Sequence, residues 1–527
     1  MLTCAGLVLS GSPPPTIQAT PGQVSSQLGM NLNSVVSYTS QWPFADAFKI
    51  TRPWISGRPG AAFSEGGPLK LTADGWVAAL EPNQFAETVL FEDTKAHYPQ
   101  GQYLLLYDGE GEIQFNFDSA RILQQQPGRM VLQVIPQDTG IWLQIRATNP
   151  QNPLRNLRLI LPGLEKTYQR QPFHPLFLER LRPFKTIRFM DWMQTNSSTL
   201  QNWANRPRPE DPSQGAGKGV ALEYMIDLAN TLQANPWFTL PHRATDDYVR
   251  QFATLVRDRL DPNLKIYIEY SNEVWNTAPA FNQSKYAEQQ GLALGLAEDP
   301  YLALLRYYSQ RSVEVFKIWE TVFGSTDPGA VANPRLIRVL AGQYANPWTS
   351  EQILTWKNAY QQADAYAIAP YFSGDWDTAE QLPQLLNSSE AQIFEKMAAE
   401  IRSYGPYLQK NYSRVRSQFG LDLIAYEGGQ HLVSSSFGDQ EPAMTTLFTR
   451  LNRHPRMGEL YSQYLQQWQA SGGGLLCHFV DVSPYTQHGS WGALEYQDQP
   501  LATAPKYQAL LNFIQRQTAS PATLHHR

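Results

Sequence analysis

Cysteine is nearly missing from this chain, whose 527 residues hold only Cys4 and Cys477. Separated by almost the whole sequence, they exclude a disulfide framework and a zinc ribbon. A dominant charge is missing too. The 42 Lys and Arg face 47 Asp and Glu, a net charge of −5 with no basic run, so nucleic acid is not an expected partner. No apolar stretch approaches the ~20 residues that a membrane-spanning helix needs, and a soluble chain is expected. The nine histidines are scattered, and HExxH, GxSxG and CxxC are all lacking. GAGKG at 215–219 lacks the spacing of a phosphate loop and reads as a plain loop. What the sequence does have is apolar and aromatic mass. At 42% hydrophobic residues, with 14 Trp, 26 Tyr and 23 Phe, it can offset the entropy of ordering the chain, which excludes wholesale disorder.

The opening MLTCAGLVLSGSPPP resembles the apolar part of a secretory signal without its basic start, so a secreted or periplasmic location is the expectation. Residues 1–28 are read as leader and linker, because 13–28 is rich in Pro, Ser, Thr and Gln and has no periodicity. Folded structure is expected from Gly29, with a buried strand in 29–67. Between about 68 and 163 the pattern changes to short period-two runs separated by Gly, Pro and Asp turns. Ile113, Phe115 and Phe117 alternate with Gln114 and Asn116, and Ile141, Leu143 and Ile145 with Trp142, Gln144 and Arg146. This reads as a sandwich-like all-β module.

From 164 to 515 the order becomes strand, helix, strand, helix, the mark of a parallel sheet with crossover helices. Strand candidates are 185–192, 236–242, 264–272, 335–342, 364–371, 421–429 and 474–481, and the one at 30–36 makes eight. Thr245 and Asp246 can cap a helix facing inward through Tyr248, Phe252, Leu255, Val256 and Leu260. Asp299-Pro300 opens a long helix that Gly324 closes. The predicted fold is a (β/α)8 barrel with the β module inserted between strands one and two, and with 516–527 as a tail. Leaving after strand one and returning before strand two, the module is expected to border the barrel mouth, with Trp142 and Tyr107 as candidate surface aromatics.

Reacting groups in such barrels sit at the C-terminal ends of strands. Two glutamates stand there: Glu273 after Asn272 in KIYIEYSNEVWN, and Glu427 before two glycines in LDLIAYEGGQH. Strands four and seven place their tips on facing sides of one mouth, and two carboxyl groups across a mouth are what cleavage of a glycosidic bond needs. The Asn-Glu pair and the lone Glu resemble the acid/base and nucleophile of the clan A glycoside hydrolases, retaining (β/α)8-barrel enzymes that include many cellulases, mannanases, galactanases and xylanases. The resemblance covers residues ~29–50 and ~165–515, and the continuation Val274-Trp275-Asn276 and the inserted module depart from the usual pattern.

By that resemblance Glu273 is the acid/base, Glu427 the nucleophile, and Asn272 a partner of the sugar 2-hydroxyl. Arg188 is implied beside the nucleophile, since a charge on an apolar strand needs a partner when buried, although an arginine reaching solvent is the alternative. Tyr371 is implied as a hydrogen-bond donor to Glu427, or else as packing. His242 is a sugar contact or a structural histidine. Trp491 lies in the region that supplies an aromatic sugar platform, but ten residues past Asp481 rather than at a strand tip. Asp191, Asp481 and Glu495 are further candidates for binding a hydroxyl or a cation. No cofactor is implied, and the expected partner is a poly- or oligosaccharide substrate. A non-catalytic sugar-binding barrel and a barrel lyase are the other readings the pattern admits.

Overall fold

The computed structural model describes residues 27–519 except 119, 216 and 325–332. The expected leader and most of the linker, and the tail from residue 520, lie outside the described residues. Eight parallel strands close into a barrel: Leu28–Asn31, Thr186–Arg188, Asn235–Leu240, Ile266–Tyr270, Leu336–Ala341, Ala365–Ile368, Asp422–Ala425 and Leu476–His478. Closure is direct, because Gly29 of the first strand is in register with both Thr186 of the second and Cys477 of the eighth. The strands are shorter than the apolar runs that announce them. At their C-terminal ends the residues stay buried but leave the ladder to build the mouth. Glu427 thus lies two residues beyond its strand, and Glu273 three beyond its own.

The helices follow the sequence signals closely. Thr245 caps Asp246–Arg259 by accepting from the Tyr248 amide at 3.2 Å, and Tyr248, Phe252 and Val256 face inward. Asp299 caps Pro300–Val322 through the Leu302 amide at 2.7 Å, with Gly324 just beyond in the left-handed region. Among the described residues no helix is long and apolar enough to cross a membrane.

Between the first and second barrel strands lies an antiparallel β-domain of two four-stranded sheets and a two-stranded hairpin. Its first strand, Ile55–Gly57, pairs with Phe85–Leu90, so the module begins before residue 68, and its last strand is Arg155–Ile160. Ile141, Leu143 and Ile145 point into its core as the alternation predicts. Phe117 does not continue that pattern: its strand stops at Asn116, and Phe117 turns outward with a left-handed backbone. Tyr107 is buried, not a surface aromatic. Trp142 is half-buried on the outer face between Phe63 and Phe117.

The module is welded to the barrel. Its buried side chains join those of the barrel in one apolar cluster. Asp46 Oδ1, in the loop leaving strand one, accepts from the amides of Phe48 at 3.0 Å and of Leu159 at 2.8 Å, the latter on the module's last strand. At the other rim His97 stacks on Tyr496, and its Nδ1 lies 3.0 Å from Asp498.

Candidate active site

The loops after strands two, four, five, six, seven and eight enclose a cavity of about 530 Å³ at the barrel's C-terminal mouth. Its lining includes Asn272, Glu273, Tyr371, Glu427 and Trp491, joined by Met190, Asn196, Trp275, Asn276, Phe281, Tyr344, His431 and Phe479. No described residue between 55 and 160 lines it, so the described part of the module borders the barrel without entering this cavity.

Arg188 is the hub beneath. It is fully buried, and all five of its N–H donors are used. Nη1 donates to Glu427 Oε1 at 2.9 Å and to Asn31 Oδ1 at 3.1 Å; Nη2 donates to Asn272 Oδ1 at 2.7 Å and to Glu269 Oε2 at 3.0 Å; Nε reaches Glu269 Oε2 at 3.3 Å. Burial works against the charged guanidinium, but the carboxylates of Glu269 and Glu427 outweigh it and hold the arginine's pKa above its ordinary value. The solvent-reaching alternative for Arg188 is thereby excluded. Tyr371 donates to the other oxygen of Glu427 at 2.9 Å, so that carboxylate receives a charged donor on one oxygen and a hydroxyl on the other.

Glu273 has a different environment. The chain reverses after strand four through Ser271 and Glu273, both in the left-handed region. It is held there by Ser271 N to Leu240 O at 2.8 Å and by Gln283 Nε2 to Asn272 O at 2.9 Å. The Glu273 carboxyl then faces the cavity, accepting from Tyr426 Oη at 2.9 Å and Asn276 Nδ2 at 2.9 Å, and among the described residues no cation is bonded to it. Burial, and then the charge of Glu427, push its pKa up to about 7. Asn272, which accepts from Arg188, also donates to Asn196 Oδ1 at 3.1 Å.

The remaining candidates separate. Trp491 reaches the cavity despite its distance along the chain, meeting Tyr371, His431 and Phe479 edge to face. His242 does not line the cavity. It is buried against Tyr286, and burial together with Arg243 lowers its pKa to about 4. Asp481 accepts from the Asn33 amide at 2.9 Å and from the Gln41 side chain, and burial raises its pKa to about 7. Glu495 pairs with Arg453 at 2.6 and 2.9 Å, away from the cavity. Asp191 adjoins Met190 at the rim, and burial followed by the charge of Glu427 raises its pKa to about 7.

Sequence reasoning missed Glu269, Tyr426, His431 and Phe479. Glu269 carried a legible signal, since it is a charge inside the apolar run KIYIEY, the same argument that singled out Arg188. His431, whose Nδ1 lies 2.7 Å from Asp377 Oδ2, carried none, because that partner is 54 residues away.

No protein-family model and no curated protein matches this chain. Solved structures with a similar fold include a family 51 α-L-arabinofuranosidase from Bifidobacterium longum, at 10% identity and a TM-score of 0.40 over 64% of this chain and 66% of that one. A 4-O-α-L-rhamnosyl-β-D-glucuronidase from Fusarium oxysporum is similar at 12% identity and a TM-score of 0.38, over 67% of this chain and 66% of that one. The chain thus covers just under two thirds of the length of each. A fungal β-1,4-galactanase is similar at 10% identity and a TM-score of 0.30, over 64% of this chain and 91% of that one.

Proposed function

We propose that this chain is a retaining glycoside hydrolase that cleaves O-glycosidic bonds of a poly- or oligosaccharide through a covalent glycosyl-enzyme intermediate. The observation that carries the reading is a pair of glutamates on one cavity with opposed environments. Glu427 accepts from the Arg188 guanidinium on one oxygen and from Tyr371 on the other, while Glu273, bonded to a phenol and an amide, has its pKa pushed up to about 7 by burial and then by the charge of Glu427. Two carboxyl groups whose surroundings differ in this way suit the roles of nucleophile and acid. Glu273 gives its proton to the glycosidic oxygen as the bond to the anomeric carbon breaks, and a Glu427 oxygen forms the new bond to that carbon. With the charge of Glu427 neutralised in the ester, Glu273 then takes a proton from water, whose oxygen attacks the same carbon as its bond to Glu427 breaks, returning the carboxylate and releasing the sugar. Trp491 and Phe479 offer apolar faces to sugar rings, and Asn196, Asn272 and Asn276 offer amides to hydroxyls.

Proton NMR of the first sugar released tests the reading: the anomeric configuration should be retained. A 2-deoxy-2-fluoro glycoside with a dinitrophenyl leaving group should label Glu427, as read by peptide mass. Inversion would make Glu427 a general base. Sugar binding without label or turnover across a broad glycan panel would replace the enzyme with a binding protein.

A further inference from the structure

Beneath the two mouth glutamates lies a third carboxylate that the reaction above leaves unused. Glu269 is on strand four, 1% exposed, and its Oε2 accepts from Arg188 Nε, Arg188 Nη2 and Trp237 Nε1, the last at 2.8 Å. A buried ion pair is a weak stabiliser, because apolar residues of similar volume often serve the fold as well or better. Stability alone therefore does not explain why this pair is here. The geometry is directional: Glu269 occupies the side of the guanidinium away from Glu427, leaving Nη1 to Glu427 and Asn31.

We propose that Glu269 is a positioning residue that acts through Arg188, cancelling the charge of the guanidinium and fixing its plane so that Glu427 receives a hydrogen bond without the field of an uncompensated cation. The inference rests on the glycosidase reading above. Its consequence is a balance of charge. The charge of Glu427 raises the pKa of Glu273 and that of Arg188 lowers it; by offsetting part of the arginine's charge, Glu269 lets the raising influence dominate and keeps Glu273 protonated until attack. Glu427 in turn keeps its nucleophilicity, which an unpaired arginine would blunt by stabilising the carboxylate too strongly.

Burial raises the pKa of Glu269, and the Arg188 guanidinium and the Trp237 N–H work against that rise. The groups facing it are Arg188 on strand two, Tyr308 on the Pro300–Val322 helix, Cys477 on strand eight and Glu427 beyond strand seven. Tyr308 and Cys477 are buried and have raised pKa values, so they stay neutral. Around the two mouth carboxyls, Tyr371 and Tyr426 are likewise raised; the other titratable groups at the mouth are Asp191 and His431, the latter lining the cavity with its Nδ1 2.7 Å from Asp377 Oδ2.

The test is the pH profile of kcat/KM for Glu269→Gln and Glu269→Asp beside the wild type, on an unactivated aryl glycoside. Glu269→Gln keeps the shape but frees the charge of Arg188, which favours the ionised form of both mouth glutamates. Both limbs should move to lower pH by about 0.5–1 unit. Glu269→Asp keeps the charge, so its limbs should stay with the wild type even where kcat falls. Limbs that do not move in Glu269→Gln, or that move equally in both variants, would overturn the proposal.

If Glu269→Gln does not fold, the double variant R188M/E269M removes cation and compensator together. Its alkaline limb should remain at the wild-type position, and an upward shift overturns the compensation. A wild type that hydrolyses no glycoside and takes no label on Glu427 overturns the glycosidase reading, and this inference with it. A labelled wild type with unmoved limbs in Glu269→Gln overturns this inference alone.

Discussion

At the scale of single residues, the difference between Glu273 and Glu427 lies in their donors. Glu427 receives a guanidinium and a phenol, Glu273 a phenol and an amide. A carboxyl raised to about 7 by burial and by a like charge is protonated below that pH. As the proposed acid, it should make kcat/KM fall as pH rises through about 7 on substrates that need protonation. Glu273→Ala should therefore lose about 10²–10⁴-fold on an alkyl glycoside, whose alkoxide cannot leave unprotonated, and should lose the alkaline limb. With a dinitrophenyl leaving group the first step should survive, seen as a burst followed by slow turnover that azide accelerates. Equal loss on both substrates would assign Glu273 to binding and turn the search for the acid to Asp191, the other rim carboxyl with a pKa near 7.

At the scale of elements, the two glycines after Glu427 matter because of what packs on them. A Cβ at Gly428 would lie inside contact distance of the buried Tyr464 hydroxyl, and Gly429 has φ of +139° with the Tyr461 hydroxyl 2.7 Å from where its Cβ would be. Gly428→Ala should cost about 1–3 kcal/mol by overpacking, seen as a lower denaturant midpoint. Because it moves the backbone next to Glu427, the proposed nucleophile, it should also cost of order 100-fold in kcat. Wild-type kcat in a folded Gly428→Ala would show that the loop tolerates the shift. From the sequence these glycines read only as a place of close approach, and which backbone or ligand approaches is a tertiary fact. The same limit runs through the site. Strand order, both mouth glutamates and Arg188 were legible because apolar runs with polar ends are local signals. The tips themselves are irregular, so the sequence left His242 open between a sugar contact and a structural histidine, and it is buried against Tyr286 outside the cavity lining. Trp491 looked misplaced and is not, because the loop after strand eight folds back over Tyr371.

At the scale of the whole molecule, the question is whether the inserted β-domain is a passenger. None of its described residues lines the mouth cavity, yet its core is continuous with that of the barrel. A shared core of this kind predicts one cooperative unit, and Asp46 is where the coupling can be probed with one atom. A single oxygen of that side chain accepts from Phe48 N in the barrel loop and from Leu159 N in the last module strand. Asp46→Ala strands both amides and should cost about 1–3 kcal/mol, the penalty for leaving polar groups without partners. Asp46→Asn keeps an acceptor oxygen in place. Burial already pushes the Asp46 carboxyl above its ordinary pKa, so the neutral amide removes a charge that the site disfavours, and this variant should match or exceed the wild type near neutral pH. The sign follows from that raised value: the carboxylate's cost appears as pH rises through the folded pKa, and the advantage of Asn over Asp should grow in the same direction. In calorimetry the wild type and both variants should melt in a single transition, with Asp46→Ala lower. Two transitions in the wild type, or an Asp46→Ala that splits the melt while leaving its upper part unshifted, would show that the module and the barrel unfold independently.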